Sequence, residues 1–177
     1  MSALTEVTVF PQPIPPGGNR MRRNHAGHLA LLSLRIGLGL LFLVGYIGNS
    51  KDPAFVQSQV AGSGLLPPPL VGLYAAGLPY WELAFGLCFL LGLLTRITGF
   101  AAALAVVSYT VYLTTAPVQQ MLGPLAIPML AHNITFISAT LALAMAGAGA
   151  YSLDALLARG QGARWGLLTG TAAPRRA

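Results

Sequence analysis

The sequence contains very little charge. Only 8% of its 177 residues are charged and just four are acidic, whereas soluble domains contain about 25% charged residues. Together with 55% hydrophobic residues, this composition excludes an ordinary soluble domain and indicates a membrane protein of one domain. The net charge of +6 comes with no basic stripe on a predicted folded face, so we expect no nucleic-acid partner.

Cysteine and catalytic motifs are also scarce. Cys88 is the single cysteine, which excludes an intrachain disulfide and any metal or iron–sulfur site built from cysteines. A bis-histidine haem is not expected, because His25 and His28 lie at the opposite surface from His132. The sequence has no phosphate-binding glycine loop and no nucleophile with a histidine and a carboxylate in reach. We therefore predict no metal site and no catalysis by this chain alone; at most it is a subunit of a quinone-linked oxidoreductase.

Four apolar segments account for most of the chain. They cover about residues 27–47, 70–94, 97–115 and 125–150. Each is about as long as the 20 or so helical residues that cross the hydrocarbon core of a bilayer. None alternates between apolar and polar residues as a barrel strand does. We predict an all-α bundle of four transmembrane helices, with short interfacial helices after Asp52 and Ser152, each of which suits a helix N-cap.

The distribution of basic residues predicts the orientation. Only Lys51 lies on one side of the predicted bundle, and the opposite side carries Arg20, Arg22, Arg23, Arg96, Arg159, Arg164, Arg175 and Arg176. Because basic residues are retained in the cytoplasm, both termini should be cytoplasmic in a multi-pass protein of the inner (plasma) membrane. The prediction comprises a flexible Pro- and Gly-rich cytoplasmic tail over 1–25, a membrane domain over 26–158 and a cytoplasmic C-terminal tail over 159–177.

Two charged residues fall inside predicted spans. At about 1.5 Å per residue, Arg35 lies about 13 Å deep and Glu82 about 18 Å deep, both measured from the cytoplasmic side. An isolated charge at that depth costs about 2.5–3.5 kcal/mol on insertion scales, so we predict an ion pair between Arg35 and Glu82. This pair would either fix the register of the helices or form a polar site for a quinone head group or a proton.

A second polar group lies in the outer half of the predicted bundle. His132 and Asn133 in the fourth span are expected at the same level as several aromatic side chains: Tyr46, Tyr80, Trp81, Tyr109 and Tyr112. This layer is either an aromatic belt with an interhelical hydrogen bond or the lining of a pocket for a quinone or another ligand.

Three stretches resemble the DoxX-like membrane family, which includes the DoxD subunit of thiosulfate:quinone oxidoreductase. They are "LRIGLGLLFLVGYIGNSKD", "GSGLLPPPLVGLYAAGLPYWELAFGLCFLLGLLTR" and "AGAGAYSLDALL", within about residues 33–157. The resemblance implies a four-helix membrane fold, an accessory role, and that Arg35, Glu82 and Arg96 occupy recurrent family positions. His132 and Asn133 match the family less clearly.

The leading functional prediction is a membrane subunit of a larger redox or electron-transfer assembly, surrounded by lipid and other membrane or redox subunits and contributing to a quinone-linked site. One alternative is a structural subunit that packs at the edge of a larger membrane complex. Another is a small-molecule permease, although the spans lack the broken helices and internal duplication of many transporters.

Overall fold

The computed structural model describes residues 16–161 of the chain, with side chains from 25 to 158. Within this part every regular element is helical, which confirms the all-α prediction. The elements are α1 (Pro16–Lys51), α2 (Pro53–Gly62), α3 (Pro68–Leu91), α4 (Thr95–Leu113), α5 (Ala116–Leu122), a 3₁₀ turn (Gly123–Leu125), α6 (Ala126–Ala146) and α7 (Leu153–Gln161).

Four stretches of the described chain are long and apolar enough to cross a membrane. They are His25–Lys51, Pro68–Leu91, Thr95–Leu113 and Ala116–Ala146, and they confirm the predicted four-span bundle. Residues 16–25, predicted as part of a flexible tail, instead form the beginning of α1. The tail over 1–15 and the end of the C-terminal tail over 162–177 lie outside the described residues. The cytoplasmic placement of both termini remains a prediction.

The helix boundaries follow local chemistry. Asp52 caps α2 by accepting a 3.0 Å hydrogen bond from the Phe55 backbone N–H, and Pro53 takes the first helical position. Ser152 caps α7 in the same way through a 3.1 Å bond from the Ala155 backbone N–H. Helices are therefore present at both predicted places, and their position at the membrane interface stays a prediction. The fourth span ends at Ala146 and not at residue 150, because Gly147 leaves the helix with a φ of +80°.

One short helix was not predicted. The stretch before the fourth span as predicted from the sequence forms α5, which has Pro117 in its first turn and buries Val118 and Leu122. This segment has only seven residues, which is too few to show the hydrophobic periodicity of a helix. Its two buried residues pack under α2 and so help to close one end of the bundle.

The spans associate as two close pairs, α1 with α3 and α4 with α6. A Cβ atom built on Gly39 would lie 3.0 Å from the Gly86 carbonyl oxygen, and one on Gly86 would lie 3.1 Å from that of Gly39. Gly99 similarly brings α4 against Thr140 and Ala144 of α6. Without a hydrophobic driving force between helices in lipid, such small residues allow the close contact on which helix association depends.

The interior has two apolar clusters. The bundle core contains Leu38, Phe42, Phe89, Ala102, Val106, Phe136 and Leu143. The second cluster packs α2 and α5 against the beginning of α3 and the end of α4; its buried members are Val56, Val60, Val71, Ala75, Leu78, Tyr112, Leu113, Val118 and Leu122. We call the end covered by α2 and α5 the capped end. The opposite end, where α3 passes to α4 beside α7, is the turn end.

Candidate functional site

Arg35 and Glu82 do not form the predicted ion pair. The Arg35 Nη2 donates to the Tyr151 backbone carbonyl at the turn end. Both carboxylate oxygens of Glu82 accept from Asn49 Nδ2 towards the capped end, at 2.9 and 2.8 Å. The two side chains are 1% and 6% exposed, so each is buried with a different partner from the one that the sequence suggested.

The contact between glycines explains the separation. Arg35 precedes Gly39 by four residues on α1, and Glu82 precedes Gly86 by four residues on the antiparallel α3. Measured along the bundle from the contact between Gly39 and Gly86, Arg35 therefore lies about 6 Å towards the turn end and Glu82 about 6 Å towards the capped end. The two groups are about 12 Å apart along the bundle. The depth of each residue predicted from the sequence is counted from the assumed end of its own span. Such an estimate does not include the register between α1 and α3 and therefore does not detect this offset.

Arg35 belongs to a structural latch at the turn end. Its guanidinium occupies the space beside Gly92, where any Cβ atom would overlap Nη1. Asp154 at the start of α7 is close enough to offset the arginine's charge. That carboxylate also accepts hydrogen bonds from the Leu94 and Thr95 backbone N–H groups, at 2.7 and 2.9 Å. Asp154 thus caps α4 from α7, and its charge lies near the buried arginine, whose Nε and Nη1 have no hydrogen-bond partner among the described residues.

Glu82 lies in a cavity of ≈ 230 Å³ near the capped end. Side chains from α1, α2, α3, α4 and α6 line it: Leu41, Phe42, Asn49, Phe55, Val56, Gln59, Leu78, Glu82, Val106, Tyr109, Tyr112, Leu113, Met129, His132, Asn133 and Phe136, together with Gly45. Leu41, Phe55 and Met129 each retain a large exposed area, which places the apolar rim of the cavity between α1, α2 and α6. Glu82 is buried, with 6% of its surface exposed, whereas Asn49 and Asn133 are half-buried and His132 is exposed.

Four of the seven predicted pocket residues line this cavity. Tyr109, Tyr112, His132 and Asn133 are all present, together with Glu82. The ring of His132 packs edge-on against Phe136, with centroids 4.7 Å apart. Tyr109 and Tyr112 lie on α4 and His132 and Asn133 on α6, and these two helices approach each other closely.

The other three predicted pocket residues do not line the cavity. Tyr80 and Trp81 are 70% and 55% exposed on the outer surface of α3, where they suit the interface between membrane and water. Tyr46 is half-buried on α1. It is the next residue after Gly45, and Gly45 lies on the side of the helix that faces Glu82. In a helix, neighbouring residues point about 100° apart, so aromatic residues at similar depths need not share a cavity.

Two polar cavity residues were missed from the sequence, Asn49 and Gln59. Asn49 falls just beyond the predicted end of the first span, but the spacing Phe42, Gly45, Asn49 continues one face of α1 and was a usable signal. Gln59 is buried on α2, and its Nε2 has no hydrogen-bond partner among the described residues. Its role depends on how α2 folds back over the bundle, which the sequence does not reveal.

The electrostatics of the cavity are dominated by one carboxylate. An ionised carboxylate offers about four acceptor sites, and Glu82 meets a single amide nitrogen. No arginine or lysine between residues 25 and 158 lines the cavity. The hydroxyls of Tyr109 and Tyr112 form no hydrogen bond with the described part of the chain, and both rings face the same space. No group of three or more His, Cys, Asp or Glu in the described part is arranged to hold a metal ion.

The comparison with protein families corrects the resemblance drawn from the sequence. Residues 27–147 match the family described as methylamine utilisation protein MauE, a different membrane family from DoxX, and DoxX itself does not match. The patterns that suggested DoxX, an arginine in the first span and a glutamate followed by small and leucine residues in the second, did not discriminate between the two families. No curated protein and no solved structure matches the chain.

Proposed function

The chain belongs to the MauE family, and from this premise we propose that it is an accessory membrane protein of a methylamine-utilising redox system. The family consists of integral membrane proteins, and four apolar helices in the described residues agree with a multi-pass membrane protein. The observation that carries the proposal is the extent of the match, since residues 27–147 include nearly the whole of the four spans and all of the residues that line the cavity.

The chemistry of the interior supports an accessory role over catalysis. The cavity has one carboxylate, one histidine and two tyrosines, but no nucleophile paired with a base. The latch at the turn end buries its arginine and aspartate in structural contacts. A protein of this kind would act by holding a ligand or by contacting partner subunits, with electron transfer carried out by other chains of the assembly.

A deletion strain tests the role in methylamine use. We expect loss of growth when methylamine is the sole nitrogen or carbon source, normal growth on a multicarbon source with ammonium, and rescue by the full chain supplied in trans. Purification of the tagged chain in mild detergent should recover redox subunits that are absent when an unrelated four-span protein is tagged. Equal growth of the deletion strain on methylamine would refute the proposal.

A quinone-linked site is the second candidate. Its support is the combination of an apolar rim, which suits a ligand that arrives from the bilayer, with the hydroxyls of Tyr109 and Tyr112 as donors to ring carbonyl oxygens. Solvent extraction of the purified protein should then yield a quinone in near-stoichiometric amount, and a Tyr109→Phe, Tyr112→Phe double variant should yield much less. A quinone content no higher than that of the surrounding lipid would exclude this candidate.

A further inference from the structure

We infer that the cavity around Glu82 binds a small organic ammonium ion, with methylammonium as the simplest member of the class. The inference concerns the cavity of this chain alone and does not depend on the accessory role proposed above.

The first argument is the state of Glu82. Its side chain is 6% exposed and its oxygens receive hydrogen bonds from one amide nitrogen. A buried carboxylate with so few donors is costly unless a cation or a proton compensates it. Among the residues whose side chains are described, no arginine or lysine lines the cavity, and the buried Arg35 of α1 donates to the Tyr151 carbonyl at the turn end. The protein supplies the anion of an ion pair and leaves room for the cation.

The second argument is the nature of the walls. Phe42, Tyr109, Tyr112 and Phe136 line the same space as Glu82. Aromatic faces attract ammonium groups and are used in proteins that recognise organic cations. They also provide apolar contact for an alkyl substituent, which a site for an inorganic cation does not need. Hydroxyl oxygens of the two tyrosines and the side-chain oxygen of Asn133 can accept hydrogen bonds from ammonium N–H groups.

The third argument is space. A cavity of ≈ 230 Å³ greatly exceeds the roughly 30 Å³ that one water occupies in the liquid, so a methylammonium ion fits with its hydrogen-bonding partners. A Cβ atom on Gly45 would lie 2.8 Å from Glu82 Oε1, so glycine at this position keeps the carboxylate in place on the cavity wall. A neutral quinone ring, by comparison, leaves the carboxylate charge without compensation.

Binding is measured directly on the purified full chain. Titration with methylammonium chloride, followed calorimetrically or with radiolabelled ligand, should give saturable binding, and methanol of similar size should give none. Glu82→Gln preserves the shape of the side chain and should weaken methylammonium binding about tenfold or more, since hydrogen bonds to charged groups contribute about 1.5–3 kcal/mol. Tyr112→Leu removes one aromatic wall and should weaken it by a smaller factor.

Asp52→Asn is the matched control. It makes the same change from acid to amide at an exposed residue, and asparagine also caps a helix, so binding and folding should both be unaffected. Thermal unfolding of Glu82→Gln reports whether that variant is folded. If it is not, Tyr112→Leu and the comparison with methanol still decide the question. The inference is overturned if the wild-type chain shows no saturable binding, if folded Glu82→Gln binds equally well, or if extraction of a bound quinone leaves a chain that does not bind methylammonium.

Discussion

Replacing Gly92 by alanine should destabilise the protein far more than an ordinary glycine-to-alanine change. Gly92 ends α3 in the left-handed region, with a φ of +66°, and its backbone carbonyl accepts a hydrogen bond from Asp154. A Cβ atom there would overlap Arg35 Nη1 and lie 2.7 Å from the Ser152 Cβ. The alanine methyl group can therefore be accommodated only if the buried guanidinium moves away.

Two contributions determine the expected magnitude. A residue with a side chain in the left-handed conformation costs about 1–2 kcal/mol. Displacing the Arg35 guanidinium breaks its hydrogen bond to the Tyr151 carbonyl, and bonds made by charged groups contribute about 1.5–3 kcal/mol. Together these predict a loss of about 3–5 kcal/mol in the free energy of unfolding for Gly92→Ala.

Gly64→Ala provides the matched control. Gly64 has the same φ of +66°, but no atom lies within 4 Å of the position of its Cβ. Its substitution should cost only the conformational part. Reversible unfolding in mixed micelles with increasing SDS measures both variants. In an Arg35→Ala background the cost of Gly92→Ala should fall, and its remaining excess over Gly64→Ala is due to the contact with the Ser152 Cβ. Equal costs for the two glycines in the wild-type background would refute the account of the latch.

Three further predictions use the same unfolding measurement. Gly39→Ala should destabilise the bundle because its Cβ would lie 2.7 Å from the Leu90 side chain. Gly37→Ala, in open space on the same helix, should be neutral or slightly stabilising. The reverse order of the two stabilities would contradict the proposed packing of α1 on α3. Asp154→Asn should cost about 1–2 kcal/mol because one oxygen must replace two in capping α4, and a cost near zero would show that the cap contributes little. Tyr74→Phe removes a 2.6 Å hydrogen bond to a serine hydroxyl on α4 and should cost about 0.6 kcal/mol, the average for such bonds in a membrane bundle; a cost above 2 kcal/mol would require another role for the hydroxyl.

The fold could be predicted from the sequence because a bilayer restricts the choice of structure. Every backbone polar group in hydrocarbon must be satisfied within the segment, so long apolar runs become helices and their number sets the architecture. The caps at Asp52 and Ser152 are local in the chain and were equally accessible. The seven-residue helix α5 was missed because its stability comes from tertiary contacts of Val118 and Leu122, which leave no periodic signal in so short a segment.

Predicting the partners of Arg35 and Glu82 requires the register between α1 and α3, which is a tertiary property. Composition and span length place Arg35 and Glu82 in the membrane, and the expectation that opposite charges pair is sound when both lie at one level. The contact between Gly39 and Gly86 is incompatible with the predicted ion pair. When the antiparallel helices α1 and α3 meet at these glycines, Arg35 and Glu82 are about eight residues apart along the bundle. Each charge then needs its own partner: Arg35 has the Tyr151 carbonyl and the nearby Asp154, whereas Glu82 has only an amide from its own chain. The asymmetry is that Arg35 has a carboxylate nearby, although its Nε and Nη1 have no hydrogen-bond partner among the described residues, whereas no described arginine or lysine lines the cavity of Glu82; it points to a cationic ligand at the capped end.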